Sequence, residues 1–297
     1  MRVLILGATG LLGHVVHRVL HHAGTHDVTG TRRAAPVPGR EPLRYVAVAD
    51  LTDPRELRSV LERNAPGIVV NAIAPPRAAI RSGEPGALLA TLAQVPMWLA
   101  RWAEDAGARV VHISTDGVFS GSRGAYTEED WPDATDAYGV AKQLGESGRN
   151  SVLNLRTSML GPEVGGFGSG LLEWLRHQRG TVQGHTDAIF SGLPSIELAE
   201  VLRDVVLPDA SLSGTYHVAA PAISKHDLLI LIARRYGLDV SIEPVPGPRV
   251  DRSLDATAFA KRTGFVARPW PELIDQMYTD HLRHGLVPPS DSPVRFA

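Results

Sequence analysis

Short apolar runs alternate with stretches of helical periodicity through the first half of this chain. "RVLIL" predicts a first strand, followed by a helix near 11–23 that closes at Gly24. "DVTGT" and "LRYVAVA" predict the second and third strands. Asp53, Pro54 and Glu56 then open a helix with an N-cap, a proline in the first turn and a glutamate three positions after the cap. "GIVVNAI" is the fourth strand, 85–106 a long helix ending at Gly107, and "RVVHIS" the fifth strand. A helix over 138–147 and the strand "SVLNLRTS" follow. Strands this apolar are buried on both faces. Their alternation with helices predicts an α/β chain built on a doubly wound parallel sheet.

After Arg156 the rhythm changes. "GPEVGGFGSG" is a glycine-rich loop over 161–170, and helices are predicted at 169–178 and 195–206. "GTYHVA" reads as a further strand and is a candidate for return to the main sheet. Ser224 caps a helix over 225–236, with Asp227 at its third position. "EPVPGPRV" reads as a proline-rich connector and "PELIDQMYTDHLRHG" as a last helix. No internal repeat is present. The predicted division is 1–158 for the sheet domain, which the strand near 214–219 would join, and 159–297 for a smaller α/β lobe. Such a lobe would cover the C-terminal edge of the sheet, where ligands of these sheets bind.

Composition leaves that picture in place. The chain has 297 residues, 43% apolar and 21% charged, which suits one large globular α/β domain or one and a half. A net charge of −2 with no basic block argues against nucleic acid or an anionic membrane as the main partner. The chain lacks cysteine, which excludes disulfides, a thiolate nucleophile and a zinc–thiolate site. "MRVLILGATG" stays apolar too briefly for a signal peptide or a membrane span, so the expectation is a soluble cytoplasmic protein. A homodimer stays open.

"LILGATGLLG" sets Gly7, Gly10 and Gly13 between the first strand and its helix. Gly7 permits a tight turn, Gly10 lets backbone approach a pyrophosphate, and Gly13 lets helix and strand pack closely. With Thr9, Leu11 and Leu12 these residues form a candidate dinucleotide cradle at a helix N-terminus; the alternative is a purely structural turn. An NAD enzyme would place a carboxylate at the end of the second strand. Asp27 starts that strand instead, and its end offers Arg32 and Arg33, which suit the 2′-phosphate of NADPH. Two solvated surface arginines are the bland alternative. Asp50, with Leu51 beside it, is placed to reach the adenine. "NAIAPP" nominates Asn71, Ala72 and Ile73, where backbone should pass the cofactor.

"AYGVAKQLGE" puts Tyr138 and Lys142 four apart on one helical face. With six tyrosines and three lysines in the chain, such a pair rarely arises by chance. A nearby ammonium and the charge of an oxidised nicotinamide stabilise a phenolate, so Tyr138 could exchange a proton with a carbonyl oxygen as hydride moves. Lys142 would also hydrogen-bond the nicotinamide ribose. Thr115, at the end of the fifth strand, could donate to the same oxygen. An aromatic packed on a lysine stem is the competing reading.

These residues resemble the extended short-chain dehydrogenase/reductases, with their Rossmann-type sheet, and within them the dTDP-4-dehydrorhamnose reductase group. "GATGLLG", "STDGVFSG", "YTEED", "YGVAKQLGE", "LRTSMLGPE", "DRSLD" and "WPELID" carry the resemblance along nearly the whole chain. It implies Thr115, Tyr138 and Lys142 as the catalytic trio, and reduction of the 4-keto group of a nucleotide-linked 6-deoxyhexose by NADPH or NADH. It also nominates Thr115, Asp116, Tyr138 and Arg252 for the substrate, since an arginine suits a nucleotide-sugar diphosphate. Two positions depart from the pattern. Gly117 stands where the reductases usually carry tyrosine and the related 4,6-dehydratases glutamate, and Leu92 stands where many relatives place an asparagine supporting a water chain to the lysine. Two other functions known in the family stay open: a redox-neutral NAD-dependent epimerase, and a non-catalytic NADP-binding subunit like the regulatory subunits of methionine adenosyltransferase.

His14, His17 and His21 share a helical face, but no carboxylate matches their spacing, so they read as a solvated face and no metal is predicted. Trp174 and Trp270 read as packing residues rather than sugar-stacking platforms. Arg156 and Thr157 end the sixth strand near the site, and Glu128 to Asp130 read as an exposed turn.

Overall fold

The computed structural model describes residues 1–33, 43–75, 77–162 and 170–286. Most of the predicted glycine-rich loop, and Pro76 of "NAIAPP", lie outside the described residues. Two compact units divide the chain. The first joins Met1–Ser120, Trp131–Arg156 and Ala199–Tyr216; the second joins Gly121–Asp130, Thr157–Leu198 and the chain from His217 onward.

The first unit carries a seven-stranded sheet made of β1 (Arg2–Leu6), β2 (Asp27–Arg32), β3 (Tyr45–Ala47), β4 (Ile68–Asn71), β5 (Arg109–Ile113), β6 (Val152–Arg156) and β7 (Gly214–His217). Their spatial order is β7-β6-β5-β4-β1-β2-β3. All pairings from β3 across to β6 are parallel. The order reverses beside β1, which is where sheets of this kind open a ligand crevice. The continuous apolar runs have their expected cause: Leu4, Leu6, Val69, Val110 and Val152 pack with Val95, Leu99, Ala100 and Ala103 in one buried cluster. β7 lies beside β6, and Arg109 holds the chain leading into it by donating to the carbonyls of Val206 at 2.9 Å and Leu212 at 2.8 Å.

Four helices of this unit position the site: α1 (Gly13–Ala23), α2 (Pro54–Asn64), α3 (Val95–Ala106) and α4 (Ala137–Gly145). The predicted helix over 85–106 is continuous, but Ala90–Gln94 forms a π turn ahead of α3. Asp53 caps α2 by accepting from the Arg55 N–H at 2.8 Å. Glu56 does not close a reciprocal box on the cap. Its carboxylate accepts from the N–H groups of Ala49 at 2.6 Å and Asp50 at 2.7 Å, bracing the turn after β3.

In the second unit Gly180–His185 pairs in parallel with Val240–Val245. Ala188–Phe190 lies between Ile223–Ser224 and Val250–Asp251, and Met159–Leu160 pairs with Leu193–Pro194. The proline-rich connector is therefore corrected, because its first residues are strand. Half-buried Val240 and Ile242 alternate with exposed Ser241 and Glu243. Pro244 is tolerated because both strands of a two-stranded sheet are edges. Ser224 caps the helix Lys225–Tyr236 by accepting from the Asp227 N–H at 3.0 Å. Trp270 is buried with its Nε1 donating to the Pro221 carbonyl at 2.6 Å, while Trp174 is 37% exposed. The Glu128 carboxylate accepts from the His217 N–H at 2.7 Å, so the turn at 128–130 is tied down.

The solvated histidine face is also corrected. His17 is fully buried, edge-on to the Tyr45 ring at 4.7 Å, and burial pulls its pKa down to about 4. Gly30 makes the room: a side chain there would run into His17 and Ala8, a constraint that helical periodicity does not reveal. Among the described residues no group of three potential ligands could hold a metal, and no helix is long and apolar enough to cross a membrane.

Candidate active site

The strand β5 delivers Thr115 in extended backbone, and its Oγ1 accepts from the Gly117 N–H at 3.0 Å, capping a short turn over Asp116–Val118. Helix α4 is started by Asp136, whose carboxylate accepts from the Gly139 N–H at 2.9 Å. A side chain at Gly139 would overlap the Gly117 carbonyl, so the first turn of α4 lies directly on the turn after Thr115. Tyr138 thereby meets Thr115 in a side-chain hydrogen bond. An added Cβ at Gly117 would stand 3.2 Å from Thr115 Oγ1 and 3.4 Å from Tyr138 Cε1. A side chain at 117 would therefore press on the Thr115 hydroxyl and touch the Tyr138 ring, which is the local meaning of that departure.

Lys142 is buried one turn further along α4 and donates from Nζ to the Ile113 carbonyl at 2.7 Å. Burial pulls its pKa down to about 8, against a smaller opposing pull from Glu146. Burial pushes Tyr138 up to about 12, helped by Asp116 and Asp136 and opposed by the Thr115 hydrogen bond. A cationic ring bound beside the phenol would reverse that direction. Leu92 lies in the π turn, 1% exposed, and packs with Leu88 and Ala141 against Tyr138. The π turn presses its Leu92 carbonyl onto Gly145, where a side chain would not fit.

Beneath Lys142 runs a polar row across the sheet. Asn71, His112 and Asn154 are in register on β4, β5 and β6. Asn71 Oδ1 accepts from the Ile73 N–H at 3.3 Å, which turns its amide nitrogen toward His112 Nδ1 at 3.0 Å. His112 is held neutral by burial and by the neighbouring Lys142. Arg156, read as merely near the site, is bound to Glu146 and stacks over Phe119 at 5.2 Å. Sequence reasoning passed over Glu146 and His112; the i, i+4 spacing of Lys142 and Glu146 was the available signal.

The glycine turn lies at the switch point beside β1. Gly7 has φ 79° and its N–H bonds Thr31 Oγ1 at 3.1 Å. A Cβ on Gly7 would come within 2.6 Å of the Ala72 carbonyl, so the exit of β4 with Ala72 and Ile73 abuts the turn. A Cβ on Gly13 would overlap the Gly7 carbonyl, so Gly13 is required by packing alone. Gly10 differs: it is exposed, with only the Gly7 carbonyl at 3.3 Å among the described residues. Among the described residues that single tight contact is all a side chain there would meet, and one would fill the open cradle. Helix α1 begins with no side-chain cap and no acidic residue in its first turn, which leaves its positive end available to an anion. Thr9 is exposed, Leu11 half-buried, and Leu12 offers only backbone because its side chain is in the core.

Asp27 lies at the other end of β2, paired with Arg44 at 2.8 Å. At the cradle end, Arg32 stacks over Tyr45 at 5.1 Å with its Nε buried and unpartnered among the described residues, and Arg33 is exposed and acts on Asp50. Asp50 accepts from the Thr52 N–H at 2.8 Å and hydroxyl at 2.7 Å, which holds its carboxyl below the usual range. Leu51 packs on the core cluster. These residues fit a dinucleotide. Arg252 follows Val250–Asp251 in the second unit, with its Cγ beside Gly121.

The RmlD substrate binding domain matches residues 1–283. The chain belongs to this family. Among curated relatives, the dTDP-4-keto-6-deoxy-D-glucose reductase of Streptomyces niveus is 30% identical over 261 residues, covering 84% of each chain. Methionine adenosyltransferase 2 subunit beta of Mus musculus is 27% identical over 316 residues, covering 95% of this chain and 91% of its own. A solved structure described as a hypothetical dTDP-4-dehydrorhamnose reductase from Sulfolobus tokodaii superposes with a TM-score of 0.76 at 26% identity, covering 91% of this chain and 98% of that one. The chain is thus similar both to a protein named as a reductase and to proteins named as a subunit of another enzyme.

Proposed function

We propose that this chain reduces the 4-keto group of a nucleotide-linked 4-dehydro-6-deoxyhexose with NADPH. The observation that carries the reading is the convergence of Thr115, Tyr138 and Lys142 on adjoining turns of one unit. NADPH, when bound, would supply the hydride for the carbonyl carbon. Tyr138 gives its proton to the carbonyl oxygen, Thr115 donates a hydrogen bond to the same oxygen, and Lys142 stabilises the phenolate left behind. Gly7, Thr9, Gly10, Leu11, Leu12 and Gly13 would hold the pyrophosphate. Arg32 and Arg33 would hold the 2′-phosphate, Asp50 and Leu51 would flank the adenine, and Asn71, Ala72 and Ile73 would line the path between. Tyr138 and Lys142 would reach the ribose. Asp116 and Arg252 are assigned to the substrate, Arg252 toward its diphosphate.

The test is a panel of nucleotide-linked 4-keto-6-deoxy sugars with NADPH or NADH, followed by loss of reduced-nicotinamide absorbance. Stoichiometric oxidation of the coenzyme supports the reading. Turnover without net consumption identifies an epimerase instead. The likeness to methionine adenosyltransferase 2 subunit beta along 95% of the chain favours a second reading as a non-catalytic subunit. No turnover on the panel, with a stoichiometric enzyme partner on pull-down, would decide for it.

The coenzyme assignment has its own check. Changing Arg32 and Arg33 together to serine is expected to weaken NADPH binding by roughly tenfold or more and leave NADH nearly untouched. Equal losses for both coenzymes would remove the 2′-phosphate role.

The reaction should also lose rate in alkali. Lys142 sits at about 8 and Tyr138 at about 12 in the unliganded protein, so Lys142 gives up its proton first as pH rises. Activity needs the ammonium and is therefore full below that value. kcat/KM for the coenzyme should fall about tenfold per pH unit above it. A profile flat well past that point would contradict the role of Lys142.

A further inference from the structure

The glutamate that closes "YGVAKQLGE" gathers three elements on one carboxylate. Glu146 caps the end of α4, one turn after Lys142. Ser114, beside Thr115, donates to its Oε1 at 2.6 Å. Arg156, at the end of β6, donates through Nε to Oε1 at 2.9 Å and through Nη2 to Oε2 at 2.7 Å. The Arg156 and Glu146 side chains are only 6% and 9% exposed. A buried pair of this kind is a poor source of net stability, because desolvation offsets the Coulombic gain.

What surrounds Lys142 gives the pair a use. Among the described residues, the titratable groups coupled to it are Glu146 from its own helix and His112 from β5, with Tyr138 one turn earlier on the same helix. From the helix packed against α4 come Leu88 and Leu92, which are apolar. His112 is held neutral and offers no counter-charge. Lys142 Nζ sits on the Ile113 carbonyl and the Glu146 carboxylate on the hydroxyl of the next residue, Ser114, so among the described residues Glu146 is the anion that acts on Lys142.

We propose that Glu146 is a positioning residue: clamped by Arg156 and Ser114, its carboxylate keeps the buried Lys142 ammonium charged and fixes the strand end bearing Thr115 against the helix bearing Tyr138. Only the kinetic consequence rests on the reductase reading; the electrostatic role stands apart from it.

The chain has three lysines, Lys142, Lys225 and Lys261. In the full-length protein labelled with 13C-lysine, the Lys142 Cε signal is therefore identified by its loss in Lys142→Arg and can be titrated directly without substrate or coenzyme. The wild-type midpoint is expected at about 8. Glu146→Gln keeps the size of the side chain and an acceptor for Ser114 but removes the charge. It should lower the midpoint by roughly one unit and move the alkaline limb of kcat/KM by the same amount. Because Arg156 left alone in the interior can unfold the chain, Glu146→Gln/Arg156→Met provides a second variant with neither charge. Its midpoint should also fall below wild type. An unshifted Lys142 midpoint in either folded variant overturns the proposal. A lowered midpoint in the variants, together with a wild-type protein that turns over no keto sugar, supports it while sinking the reductase reading.

Discussion

Tyr138→Phe is expected to cut kcat for carbonyl reduction by roughly two or more orders of magnitude while coenzyme affinity stays largely intact. The ring would keep its packing against Leu88, Leu92 and Ala141, so the helix face is not disturbed. What disappears is the hydroxyl bonded to Thr115, and with it the proton that the developing alkoxide must receive. Lys142 keeps its hydrogen bond to the Ile113 carbonyl, which does not pass through the tyrosine. Steady-state turnover and a fluorescence titration of the coenzyme, run on the same preparation, separate the two effects. Unchanged turnover would remove the proposed chemistry.

The second large effect concerns the cradle and is best measured as a pair. Gly13→Ala places a methyl group on the Gly7 carbonyl, with backbone on both sides of the clash. It should cost about 1–3 kcal/mol of stability and abolish measurable dinucleotide binding. Gly10→Ala meets only the Gly7 carbonyl at 3.3 Å, so the melting temperature should hold. Its methyl occupies the space proposed for the pyrophosphate, and affinity should fall by roughly tenfold or more. Thermal melts and titrations of both variants give the answer. If Gly10→Ala bound the dinucleotide as wild type does, the pyrophosphate would have to lie elsewhere.

The first half of the fold was legible because its signals are local. Asp53 and Gly107 mark helix ends through their own backbone, and the apolar runs of β1, β4, β5 and β6 declare a doubly covered sheet. The connector over 243–250 misled because its prolines argued against a strand, while the partner that makes one, Gly180–His185, is about 60 residues away in sequence. His17 misled for a related reason. The space that accepts it is made by Gly30 on a different element. At the candidate site the spacing of Tyr138 and Lys142 stood out. The Glu146–Arg156–Ser114 clamp did not, since its members come from a helix end and two strand ends that only the folded sheet brings side by side.

β7 belongs to the sheet although it is encoded nearly 60 residues after β6, and the unit that holds it is stitched from three lengths of chain. A chain emerging from the ribosome therefore exposes β6 as a bare edge until residues 199–216 have been made. That edge is a ready template for pairing with another nascent copy. Closing that edge depends on a segment that holds none of the candidate catalytic residues.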